Sequence, residues 1–86
     1  MKNIIVTISD FDLKQSIKVY DEKNQIIYET SAKTEEIESN CVNLCSKYNI
    51  TEIFIKGSKK ILAPKLKKNI ETQTKYAQNK IKVTIC

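Results

Sequence analysis

A chain of 86 residues suits one domain with one modest core, and a domain this short buries only about 60% of its unfolded surface. No apolar stretch approaches the ~20 residues of a membrane span; with no histidine and a single glycine, a Ser–His or Cys–His catalytic pair, a Walker loop and a dinucleotide fingerprint are excluded. All 15 basic residues are lysine, and they are unevenly placed: residues 1–55 hold six lysines against nine acids, a net −3, and residues 56–86 hold nine against Glu71 alone, a net +8.

Ile4-Ile5-Val6-Thr7-Ile8 is an apolar, β-branched run and reads as a buried strand. It starts so early that no signal or transit peptide is expected ahead of it. Ser9, Asp10 and Asp12 end it. Ser16-Ile17-Lys18-Val19-Tyr20 alternates with period two, as a half-buried strand does. Asp21-Glu22-Lys23-Asn24 is a polar turn, and Gln25 to Thr30 reads as the third strand. The short links favour an antiparallel meander.

Thr34 is placed to cap a helix, with Glu35, Glu36 and Glu38 favourably set against its dipole. Ile37, Cys41, Leu44, Cys45 and Tyr48 then form one apolar helical stripe, and Asn49 is an acceptable stop. Ile53-Phe54-Ile55 is a fourth, short, buried strand, and Lys56 to Lys60 is the loop after it. Pro64 suits the first turn of a second helix. Leu62, Leu66, Ile70 and Ala77 are its candidates to face a sheet, with Lys65, Lys67, Lys68 and Lys75 largely outside. Lys80 to Ile85 closes the chain as a fifth strand, with Ile81, Val83 and Ile85 alternating.

The order is strand-strand-strand-helix-strand-helix-strand, an α/β domain over residues 1–86 with a five-stranded mixed sheet. That order corresponds to the ribonuclease-H-like topology. A nuclease of that kind needs several carboxylates to hold two metal ions about 4 Å apart. Asp10 and Asp12 lie beyond the first apolar run, and the fourth strand ends in Lys56-Gly57-Ser58 with no acid. No catalytic residue, metal or other cofactor is therefore expected. Cys41 and Cys45 read as core residues, because free cysteine behaves as a small buried hydrophobe, and an odd count of three with no secretory signal points to reducing conditions. Tyr48 and Phe54 fit core positions, whereas Phe11 and Tyr76 are the aromatic candidates for stacking on bases.

The basic segment carries the functional signal. Lys56, Lys59 and Lys60 flank Gly57 and Ser58 at a strand-to-helix junction, where free backbone N–H groups attract phosphate. Lysine adds point charge without arginine's bidentate fork. Such contacts position RNA without reading its sequence.

Three stretches resemble one family, the universal small-subunit ribosomal protein eleven of the ribosomal platform. Ser16 to Gln25 resembles the family's second strand and turn, Lys47 to Gly57 its helix end and fourth strand, and Ile81 to Ile85 its last strand. The family's glycine-rich loop after the third strand is here Ser31-Ala32-Lys33, its Pro-Gly-rich loop after the fourth strand is Ser58-Lys59-Lys60, and its basic tail has no counterpart. The resemblance implies a structural, non-enzymatic protein on small-subunit rRNA beside neighbouring platform proteins, with no membrane and no small-molecule substrate. RNA contacts are expected at Lys56, Gly57, Ser58, Lys59 and Lys60, extended by Lys65, Lys67 and Lys68. Abundant lysine, isoleucine and asparagine match an AT-rich genome, so a mitochondrial, organelle-encoded member is expected, with the cytoplasm as the alternative. The competing function is a phage-encoded or host-interaction protein, such as an inhibitor of an RNA-guided nuclease.

Overall fold

Residues 2–9, 13–57, 62–75 and 81–85 are described by the structure, a computed structural model. The expected α/β fold with a five-stranded mixed sheet and two helices is present. Among the described residues the elements are β1 (Lys2–Ile8), β2 (Lys14–Tyr20), β3 (Ile26–Lys33), a 3-10 turn (Thr34–Glu36), α1 (Ile37–Tyr48), β4 (Ile50–Gly57), α2 (Leu62–Gln73) and β5 (Lys82–Ile85). The succession is the expected one, with α1 between β3 and β4, and a 3-10 turn that was not expected stands before α1.

The sheet runs β3-β2-β1-β4-β5. Its first three strands pair antiparallel, and β4 and β5 continue it parallel to β1. The two crossovers, through α1 and through α2, advance the same way across the sheet. Right-handed connections then put both helices on one face, where they pack against each other.

Alternation decides which side chains meet that helical layer. Ile4, Val6 and Ile8 of β1, Ile17 and Val19 of β2, Ile53 and Ile55 of β4 and Val83 of β5 are buried beneath it. Ala32 of β3, Ile50 of β4, Ile37, Cys41, Leu44 and Cys45 of α1 and Ala63, Leu66 and Ile70 of α2 complete the core, with Tyr48, Leu62 and Ile81 packed at its margin. The two apolar runs read as buried strands are therefore buried on one side only. Ile5 and Phe54 are half-buried and Thr7 is exposed, on the face away from the helices.

Local chemistry accounts for the turns. Asp21 Oδ1 accepts from the backbone N–H groups of Lys23 and Gln25, both at 2.9 Å. Asn24 takes the left-handed conformation (φ 61°) that asparagine tolerates. Asn49, also left-handed (φ 55°), ends α1.

Four expectations need correction. The fourth strand is not the short Ile53–Ile55 but runs Ile50–Gly57, so Lys56 and Gly57 are strand rather than loop. The third strand does not stop at Thr30. Lys14 pairs with Lys33 and Gln15 with Ala32, so Ser31-Ala32-Lys33 is ladder rather than loop. Thr34 does not cap α1, which begins at Ile37 with no side-chain cap bond. A cap contributes about 1 kcal/mol, whereas the buried Ile37 and Leu44 side chains of α1 contribute about 1.5–3 kcal/mol each, so packing holds this helix in place. The fifth strand begins at Lys82, with Ile81 beside it, and Lys80 and Ala77 lie outside the described residues.

Burial pushes the Cys41 thiol up to about 12, with Cys45 close by adding to the shift. Burial also pushes Cys45 up to about 11. Above the ordinary value of 9.0 the unfolded chain releases these protons while the folded chain keeps them. Folding stability is therefore expected to fall as pH rises from 9.0 toward about 11. Urea unfolding of the chain and of its Cys41→Ala, Cys45→Ala variant checks this. The variant should lose less stability over that interval, and an equal loss would assign the alkaline sensitivity to other groups.

Candidate nucleic-acid interface

The predicted RNA-facing residues do not gather on one surface. Lys56 follows the buried Ile55, so the alternation of β4 turns it to the face away from the helices. Gly57 has a structural duty. It pairs with Ile8 in the β1–β4 ladder at φ 140°, and a Cβ there would strike the Ile8 carbonyl oxygen and lie 2.9 Å from the Ile8 Cβ. Ser58, Lys59 and Lys60 lie outside the described residues, as do Phe11, Tyr76, Asp10 and Asp12. On α2, Lys65 and Lys68 are exposed and Lys67 is half-buried. Residues two apart on a helix point to nearly opposite flanks, which separates Lys65 from Lys67. Lys67 and Lys68, with Pro64, Glu71, Thr72 and Lys75, line an open depression of about 480 Å³ whose floor includes Ile85 of β5. This is one of two basic surfaces.

The second basic surface is the face of the sheet that, among the described residues, no helix covers. Register places its side chains in rows across the strands. Ser31, Ser16, Thr7 and Lys56 form one row. Glu29, Lys18, Ile5, Phe54 and Thr84 form the next. Ile26, Tyr20, Asn3, Glu52 and Lys82 form the third. Beyond the first row Lys14 stands directly opposite Lys33. Lysines outnumber acids on this face, with Lys14, Lys18, Lys33, Lys56 and Lys82 against Glu29 and Glu52.

Near its centre Asn3, Ile5, Tyr20, Asn24, Phe54 and Lys56 line a shallow hollow of about 540 Å³. Tyr20 and Phe54 sit on strands separated by β1, roughly two strand spacings or about 10 Å apart across the sheet, with Ile5 and Asn3 between them. Phe54, expected in the core, instead belongs to this hollow. Its position between two buried isoleucines was the available signal, but an unbroken apolar run conceals which member faces outward. Among the described residues, the two remaining tyrosines are engaged elsewhere. Tyr28 and Tyr48 contact each other with ring centroids 6.0 Å apart, and the Lys47 ammonium lies 5.8 Å from the first ring and 5.4 Å from the second.

Among the described residues no group of three or more Cys, Asp or Glu side chains is placed to hold a metal ion, and no helix is long and apolar enough to cross a membrane. No protein-family model matches the chain, and a search of curated proteins finds no match.

Proposed function

We propose that this chain is a structural RNA-binding protein, a non-catalytic component of a ribonucleoprotein. The observation that carries the reading is the charge of its final third, nine lysines against one acid, with Lys56, Lys65 and Lys68 exposed on the folded chain. Such a density of ammonium groups favours a polyanion, because each neutralised phosphate releases condensed counterions. The sheet order β3-β2-β1-β4-β5, with both crossovers on one face, is compatible with the ribonuclease-H-like connectivity and with a shortened relative of the small-subunit ribosomal protein eleven. In that most specific form the partners are small-subunit rRNA and neighbouring platform proteins. The A/T-rich residue usage agrees with an organelle-encoded member.

Two charge-reversal variants test the reading. Replacing Lys59 and Lys60 by Glu, and separately Lys67 and Lys68, should each weaken association with RNA. Each should also flatten the dependence of log K on log salt by roughly one unit per lost phosphate contact. Binding isotherms over a salt series measure both quantities, and co-sedimentation with small ribosomal subunits tests the specific form. Unchanged affinity and slope in both variants would refute RNA binding through the final third.

A further inference from the structure

We infer that the helix-free face of the sheet is a platform for single-stranded RNA, with unpaired bases stacked on Tyr20 and Phe54 and the backbone held by the lysines around them. The inference rests on the RNA-binding reading above and adds to it a ligand class and a second surface that the charge of the final third does not identify.

Three features choose the occupant. The first is the combination of aromatic and basic groups. The hollow between Tyr20 and Phe54 is floored by Ile5 and edged by Lys56, with Asn3 and Asn24 offering amide groups at its margin. Aromatic rings accept any base face, and ammonium groups accept phosphate, so the pair of features fits a single strand.

The second is a like-charge contact. Lys14 and Lys33 stand directly opposite each other on β2 and β3, an arrangement that opposes strand pairing and that a bridging phosphate turns into an attraction. Beside them Ser31, Ser16 and Thr7 line up across three strands, and hydroxyls are common donors to phosphate oxygens.

The third is what the charge rejects. An isologous contact with a second copy sets each patch against itself, which brings these lysines face to face. A duplex offers the rings nothing, because its bases are already stacked on one another, whereas the splayed bases of a single strand are free to stack on protein aromatics.

The test uses the full chain, a fluorescently labelled oligouridylate and a blunt RNA duplex. Tyr20→Ala and Phe54→Ala should each lower oligouridylate affinity about tenfold, as loss of one base–aromatic stack does, and leave duplex affinity unchanged. Tyr20→Phe and Phe54→Tyr keep a ring in place and should retain wild-type affinity, which separates stacking from damage to the fold. If both alanine variants bind oligouridylate as the parent does, the platform is refuted while RNA binding through α2 still stands. If the parent binds neither RNA, both readings fail. Equal losses for single strand and duplex, or a monomer–dimer equilibrium that shifts with Tyr20→Ala and Phe54→Ala, would also overturn the platform, assigning the face to general charge or to a protein contact.

Discussion

Gly57→Ala is expected to destabilise the chain by about 3 kcal/mol, from roughly equal parts of backbone strain and overpacking. For a domain of this size that is a fall in Tm of roughly 10–25 °C. Gly57 holds φ 140°, a conformation that side-chain-bearing residues rarely adopt, and the added methyl would strike the Ile8 carbonyl oxygen. That oxygen belongs to the β1 backbone in the middle of the sheet, so it has no rotamer to change and can yield only by moving the strand. Thermal melts followed by circular dichroism measure the effect. A variant melting within a few degrees of the parent would mean that the β1–β4 ladder opens at this end without cost.

Gln15→Ala is the second large effect, with an expected loss of about 2–3 kcal/mol, the cost of leaving buried polar groups without this partner. Gln15 is only 1% exposed. Its Oε1 accepts from the Ser9 backbone N–H at 2.6 Å, and its Nε2 donates to the Ser9 carbonyl at 3.2 Å and to Thr34 Oγ1 at 3.5 Å. One side chain thus ties the end of β1 to the start of the 3-10 turn. Gln15→Glu distinguishes hydrogen bonding from packing. A carboxylate keeps the bond from the Ser9 N–H but turns a bare oxygen toward the Ser9 carbonyl and buries a charge. Burial raises the carboxyl pKa in the folded state, so the deficit should be largest near neutral pH and shrink as acid protonates the group. Urea unfolding of parent and variants at about pH 7 and about pH 4 reads this directly. A pH-independent deficit in Gln15→Glu would leave the clamp without electrostatic content.

Both residues secure the same place. Ile8 and Ser9 end the central strand β1, and they are held by Gly57 from the β4 side and by Gln15 from the β2 side. The adjoining rows of the uncovered sheet face carry Thr7, Ser16 and Lys56. The geometry of the proposed RNA platform therefore depends on these two clamps, and loss of either should loosen the phosphate-facing end before the Tyr20–Phe54 end.

The elements themselves were legible from local pattern. The helical spacing of Ile37, Cys41, Leu44 and Cys45 announced the buried stripe of α1, and the Asp21–Asn24 turn followed from side chains that bond their own backbone. The clamp at Gln15 was not legible. A lone glutamine before an alternating strand looks like a solvated residue until Ser9 and Thr34 close over it. Gly57 looked like a loop residue near phosphate, because contact with Ile8 joins strands far apart in sequence.

Taken alone, the amino-acid sequence determined the kinds of element, their succession and the lysine excess of the final third, since each depends on propensity, periodicity or composition along a short stretch. Tertiary structure alone decided which face of the sheet remains uncovered. Ile4 to Ile8 and Ile53 to Ile55 carry no usable period, and the sidedness comes from two right-handed crossovers that place both helices on one side. That same choice sent Lys56 and Phe54 to one surface and Lys67 and Lys68 to another, dividing a charge that is continuous along the chain into two separate basic surfaces.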